Sequence, residues 1–175
     1  QQAARLNDNG SFPYLRSHPL TTERIADMQA RMPVGAAVAA PPDAALDHAM
    51  LAARARILSN PGVDALRSAV AEAGVASLAA QPAARQTGVL YAAALASARL
   101  REFAQARTLL DRLATLSAAA PSAARLGSLL EAEIALLAGR PVSPLPGAGR
   151  PELLLNTQIR LQTGRAAEAS APLQT

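Results

Sequence analysis

Apolar residues recur every three or four positions along most of this chain, the spacing that gathers side chains on one face of an α-helix. A first helix is predicted after Thr21 or Thr22, each a suitable N-cap, and Pro33 ends it. From residue 43 onward the pattern predicts about seven further short helices, and nothing predicts a strand. The clearest apolar faces are Leu46, Met50, Ala53 and Ile57; Val63, Leu66, Val70 and Ala73; Val89, Ala93, Ala96 and Leu100; Phe103, Ala106, Leu110 and Leu113; Leu126, Leu130, Ile134 and Leu137.

The last two predicted helices follow turns rich in proline and glycine. One begins at Pro151, where proline is favoured in a first helical turn, and a short one follows Gly164. Ser122 is the predicted N-cap of the helix that precedes them. Helices of about three to four turns are not stable singly in water, so neighbours are expected to pair as antiparallel hairpins, beginning with the first two after residue 43.

Four residues around one turn match a known repeat pattern. Ala94 is small, Phe103 and Ala106 open the next helix three residues apart, and Leu110 follows four further on. This spacing resembles the tetratricopeptide repeat. Turns at which this pattern could recur lie at Arg101, Gly139 and Gly164, and they are irregularly spaced. The expected fold is all-α, a degenerate tetratricopeptide-like array of antiparallel helical hairpins (an α-solenoid) of about seven helices; an irregular helical bundle without repeat ancestry is the alternative.

Composition supports close helix packing and suggests a boundary. Alanine supplies about a quarter of the chain, and there are only four aromatic residues. Residues 34–42 hold only Pro, Gly, Ala and Val, which predicts a linker. The expected organisation is a loop plus helix in residues 1–33, the linker in 34–42 and the helical domain in 43–175.

Charge and cysteine content exclude several classes of function. All seventeen basic residues are arginine, the net charge is +4, and the arginines are scattered, so nucleic-acid binding is not expected. No apolar run approaches the roughly 20 residues of a membrane span, so direct membrane insertion is not expected either. Without cysteine, disulfides and cysteine-ligated zinc are excluded.

No catalytic motif is present, whether H-E-x-x-H, G-x-S-x-G or a P-loop, and no catalytic residue is predicted in this chain. Asp43 and Asp47 lie one helical turn apart with His48 beside them, which predicts a solvated first turn with favourable acidic charge. Glu131 and Glu133 are two residues apart on a helix and are expected to diverge, so they do not form a catalytic carboxylate pair.

One motif near the start is more specific. Ser17-His18-Pro19-Leu20 is followed at a fixed step by Arg24-Ile25. This segment, with its surroundings over about residues 12–32, resembles a T/S-H-P-x-x-x-x-R-I segment near the end of the catalytic domain of HtpX-like and BepA-like zinc metallopeptidases. In the periplasmic members of that family a tetratricopeptide domain follows directly, which agrees with the order of parts here.

The resemblance implies that residues 1–33 are the C-terminal tail of a peptidase domain. Zinc, its H-E-x-x-H helix and a further glutamate ligand would belong to the parent protein before Gln1, and this segment would hold no cofactor. His18 would lie near that zinc, able to ligate it or to block access to it. The alternative is structural, with His18 fixing its loop by a hydrogen bond.

The predicted function is a non-catalytic C-terminal protein-interaction domain of a bacterial periplasmic zinc metallopeptidase. Its concave face is expected to bind a protein or peptide, either a substrate or a partner such as outer-membrane protein assembly machinery. Arginines on that face would suit carboxylates. The alternative is a free-standing helical-repeat scaffold or adaptor with no attached enzyme, and an H-E-x-x-H motif upstream of Gln1 would separate the two.

Overall fold

A computed structural model describes residues 21–31, 43–59 and 62–165, and every regular element within these ranges is a helix, which confirms the all-α prediction. Seven α-helices and one 3₁₀-helix occur there, without a strand. They are α1 (Thr21–Arg31), α2 (Ala44–Ser59), α3 (Val63–Glu72), the 3₁₀-helix (Ala76–Ala80), α4 (Ala83–Arg99), α5 (Phe103–Ser117), α6 (Pro121–Leu137) and α7 (Arg150–Gln162).

The chain divides into two compact units, residues 1–40 and 41–175. In the first unit the structure describes α1, on which the apolar side chains of Ile25 and Met28 are exposed. The predicted linker, residues 34–42, lies outside the described residues, and so does the last predicted helix.

Helix α4 forms the centre of the second unit. Every residue from Thr87 to Ala98 is buried, so this stretch has no solvent-facing side. Helices α2, α3, α5 and α6 all pack against it. Small residues permit this approach: a Cβ added at Gly88 would lie 3.2 Å from the carbonyl oxygen of Ala49 in α2, so the two backbones are close together.

Helices α2 and α3 do not form the antiparallel hairpin predicted for them. Each packs mainly on α4, and a peripheral contact links them, with Arg56 Nη2 3.5 Å from Glu72 Oε2. Both helices bury their apolar faces against α4 because it offers small side chains on every side. Helix α2 also contacts α6, which a linear array with neighbour-only contacts would keep apart.

Three helices end in the same backbone motif, at the three turns predicted from the sequence. Arg101, Gly139 and Gly164 have φ angles of 65°, 68° and 75°, in the left-handed region. In the first of these turns the Glu102 N–H donates to the Ser97 carbonyl oxygen at 2.9 Å, the outer bond of a Schellman motif, and the other two turns have the equivalent bond.

Arg101 occupies this conformation although it is not glycine, at a cost of about 1–2 kcal/mol. Two contacts offset the cost. Its Nη1 donates to the Leu137 carbonyl oxygen at the end of α6, at 3.1 Å, and its guanidinium lies 5.9 Å from the centre of the Phe103 ring, within cation–π range. Arg101 thereby ties the C-terminal end of α4 to that of α6.

Most predicted face positions are buried or packed against the core, with a few exceptions. Val63 and Leu137 are exposed, and each is the terminal residue of its helix. Ser122 is not the N-cap of α6, since that helix begins at Pro121, whose missing N–H is harmless in a first turn. The Ser122 hydroxyl instead hydrogen-bonds the carboxylate of Asp47 in α2.

Ser97 in the centre of α4 provides a test of this packing. Its side chain is completely buried and its hydroxyl has no hydrogen-bond partner among the described residues. We expect Ser97→Ala to raise the free energy of unfolding by about 1 kcal/mol, because a desolvated hydroxyl is removed and alanine favours the helix. Urea unfolding followed by circular dichroism measures the change.

The matched control is Ser117→Ala in α5. Ser117 is equally buried, but its hydroxyl donates to the Leu113 carbonyl oxygen at 2.9 Å. We expect this variant to be unchanged or less stable by up to about 1 kcal/mol. Equal effects at Ser97 and Ser117 would contradict the difference in hydrogen bonding.

Candidate binding groove

A groove with a volume of about 430 Å³ lies between α2, α6 and α7. We call it the binding groove. Two leucines on its walls are half exposed, Leu51 of α2 at 53% and Leu154 of α7 at 48%. The other apolar residues that line it are Leu126, Leu129, Pro151 and Leu155. An apolar concave surface of this kind is typical of a binding site.

Three polar side chains from three helices meet in the binding groove. Arg54 Nη1 of α2 donates to Glu133 Oε2 of α6 at 2.7 Å and to the hydroxyl of Tyr91 of α4 at 3.4 Å. The Arg54 and Glu133 side chains are 34% and 22% exposed, so the pair is partly removed from water. A charge-assisted hydrogen bond there is stronger than on the open surface, and the cluster joins the three helices.

Burial and hydrogen bonding together determine the pKa values of Arg54 and Tyr91. Burial on its own lowers the pKa of the Arg54 guanidinium, but its hydrogen bonds to Glu133 and Tyr91 outweigh burial, and the pKa is raised. Burial raises the pKa of the Tyr91 phenol, and the neighbouring Arg54 cation offsets only part of that rise. At neutral pH the cluster therefore contains a charged guanidinium and a neutral phenol.

Helix α7 is fixed to α6 by a bidentate ion pair. Arg125 Nε and Nη2 lie 2.5 and 2.8 Å from the two carboxylate oxygens of Glu152. The hydrogen bond from Arg125 lowers the pKa of the Glu152 carboxyl, although desolvation opposes it. A Cβ at Gly149 would overlap this carboxylate, so the turn before α7 requires glycine for space.

The irregular segment before α7 is attached to the helix that follows it. Leu145 donates its N–H to Asn156 Oδ1 at 2.7 Å, and Asn156 Nδ2 donates to the Leu145 carbonyl oxygen at 3.0 Å. Gln162 Nε2 also donates to the Leu136 carbonyl oxygen of α6 at 3.1 Å. These bonds satisfy backbone groups that the prolines exclude from regular structure.

Arg150 adds a positive charge to the binding groove. It is the first residue of α7, lines the groove and is exposed. Among the described residues it has no hydrogen-bond or ion-pair partner, in contrast to Arg54. The guanidinium is therefore available to a carboxylate of a bound molecule.

Few of the residues singled out in the sequence belong to this site. His18 lies outside the described residues, so its proposed place near a zinc ion stays a prediction. The first turn of α2 is not simply solvated, because Asp47 accepts a hydrogen bond from Ser122 of α6. His48 next to it is exposed and lines no groove described here.

Glu131 and Glu133 diverge as expected. Glu133 lies in the binding groove, whereas Glu131 lines a separate one. The pairing of Arg54 with Glu133 was not predicted from the sequence. A signal is present in hindsight: each is adjacent to a predicted core residue, Ala53 or Ile134, and so lies at the edge of an apolar face.

Over residues 21–31, 43–59 and 62–165, no group of three or more histidine, aspartate or glutamate side chains is placed to hold a metal ion. None of the helices described is both long and apolar enough to cross a membrane. Comparison with family models, curated proteins and solved structures gave no match to this chain.

Titration of Tyr91 tests the buried cluster. Because its pKa is raised in the folded chain, Tyr91 contributes stability below the unfolded-state pKa of about 10, and that stability is lost as pH rises through the folded-state value. We expect tyrosinate absorbance in a Tyr14→Phe variant to develop at higher pH in the folded protein than in urea. Coincident titration curves in the two states would contradict burial of the phenol.

Acid titration tests the attachment of α7. Because pairing lowers the pKa of Glu152, the ion pair stabilises the fold above about pH 4.3 and this contribution is lost as pH falls through the lower folded-state value. We expect Glu152→Gln to reduce stability at pH 7 and to have a smaller effect in acid, as measured by urea unfolding across a pH series. Arg125→Gln is the control. The variant with both substitutions should be little less stable than either single variant, because each one already breaks the same ion pair.

Proposed function

We propose that the second unit is a protein-interaction domain that binds an apolar segment of a partner protein in the binding groove. The observation that carries this proposal is the exposure of Leu51 and Leu154 on two helices that line the same concave surface. Burying these leucines under a partner releases water from apolar surface. Arg150 at the same groove favours a partner with an acidic residue beside its apolar ones.

We interpret the domain as a degenerate tetratricopeptide-like array whose concave face is the binding groove. The hairpin of α4 and α5 supports this interpretation, since Ala94, Ala106 and Leu110 at the repeat positions are buried there and Arg101 makes the tight turn between the helices. The contact between α2 and α6 closes such an array into a more compact form.

The resemblance around His18 extends the proposal to a larger protein. In this proposal the parent is a bacterial periplasmic zinc metallopeptidase, zinc and the catalytic residues belong to an upstream domain, and the groove recruits substrates or assembly partners. The competing proposal is a free-standing adaptor. An H-E-x-x-H motif encoded ahead of Gln1 would support the peptidase, and its absence would support the adaptor.

Paired leucine variants test the groove directly. The probe is a fluorescein-labelled amphipathic peptide with leucines at i and i+4 and one glutamate, and anisotropy reports its binding to the full chain. We expect Leu51→Ser and Leu154→Ser each to weaken binding by roughly five- to tenfold, because each removes apolar surface worth about 1 kcal/mol or more at the contact.

The chain offers a control on each of the same helices. Leu58 of α2 and Leu161 of α7 are similarly exposed, at 42% and 54%, but do not line the groove. Leu58→Ser and Leu161→Ser should leave the affinity unchanged. Equal losses at groove and control positions, or no binding of the peptide by the unaltered chain, would exclude the groove as the binding surface.

A further inference from the structure

A second groove, with a volume of about 440 Å³, lies between α5, α6 and the segment that follows α6. It shares no lining residue with the binding groove. Its charged residues are Arg107 of α5, Glu131 of α6 and Arg140. Small and apolar side chains line the rest, among them Ala132, Ala135, Val142 and Leu145.

The two arginines of this second groove are unpaired. Neither Arg107 nor Arg140 has a hydrogen-bond or ion-pair partner in the described part of the chain, and the same is true of Glu131. The Nε atom of Arg140 is buried and finds no acceptor there. A buried guanidinium N–H without an acceptor is unfavourable, and a carboxylate oxygen is the acceptor that matches the planar donor fork best.

The charge and shape of the groove narrow the choice of ligand. Two arginines and one glutamate sum to a single positive charge, which suits a carboxylate better than a phosphate dianion. A neighbouring recess of about 130 Å³ shares Ser128 and Glu131 with the groove, and Ala114 and Gly127 also line it. Two adjoining concave surfaces lined largely by small residues suit an extended chain rather than a compact metabolite.

We propose that this second groove binds an extended segment of a partner protein in which an aspartate or glutamate side chain, flanked by small apolar residues, is held by Arg107 and Arg140. The flanking residues lie against Val142 and Leu145 on one side and in the recess beside Gly127 on the other. This site lies apart from the binding groove and does not depend on the function proposed for it.

The test uses the full chain and matched synthetic peptides. The probe is acetyl-Ala-Val-Asp-Ala-Ala-amide, and its counterpart has asparagine in place of aspartate. The Nε–H resonances of the arginine side chains, observed by nuclear magnetic resonance, report binding. We expect the aspartate peptide to shift the Arg140 resonance, and the asparagine peptide to bind at least about tenfold more weakly, because the charge-assisted contacts are lost.

Variants then assign the contact. We expect Arg107→Gln and Arg140→Gln each to weaken binding roughly five- to tenfold, and Arg99→Gln, an exposed arginine in neither groove, to leave it unchanged. Gly127→Leu should block the recess without disturbing the fold, because a Cβ there meets nothing within 4 Å. An unchanged melting curve with weaker binding is the expected result for this variant.

Other outcomes would overturn the proposal. Equal binding of the aspartate and asparagine peptides would show that no carboxylate is recognised. Tighter binding of acetyl-Ala-Val-Ala-Ala-Ala with a free terminal carboxylate, or of inorganic phosphate, would replace the proposed occupant by a chain end or a simple anion. Absence of any shift at Arg107 and Arg140 would show that neither arginine binds the peptide.

Discussion

The close packing of small side chains around α4 is the constraint on which the second unit depends. Because this helix is buried on every side between Thr87 and Ala98, its neighbours must approach it at short distance. Gly88 shows how little space remains, since a larger residue would meet the backbone at Ala49 and push α2 outward. Such a shift would also separate Arg54 from Tyr91, so the groove cluster exists only while the helices stay close.

An alanine-rich interior also accounts for the exposed leucines. Many leucines are buried in the core, but some at the edges of the apolar faces lie beyond the close contacts between helices and stay exposed. Leu51 and Leu154 are such residues, and both line the binding groove between α2, α6 and α7. The same packing that stabilises the centre therefore leaves an apolar surface available to a partner.

Helix positions and turns could be predicted because they depend on local chemistry, whereas packing partners could not. In α4 the predicted stripe of Val89, Ala93 and Ala96 is correct but incomplete, since alanine on every face gives no contrast to show that the whole helix is buried. The 3₁₀-helix at Ala76–Ala80 is too short for a periodic signal. Pairing of Arg54 with Glu133 joins positions 79 residues apart, and only the folded arrangement shows it.

The helical geometry of α6 determines which surfaces its two glutamates, Glu131 and Glu133, line. Two residues on a helix point about 200° apart, so Glu131 and Glu133 cannot share a surface. Glu133 lines the binding groove together with Leu129, one turn before it, whereas Glu131 and Ala135, also one turn apart, line the second groove. An ordinary amphipathic helix has one buried face and one solvated face. Here the two grooves lie on either side of the buried face, and each of these acidic residues lines one of the grooves.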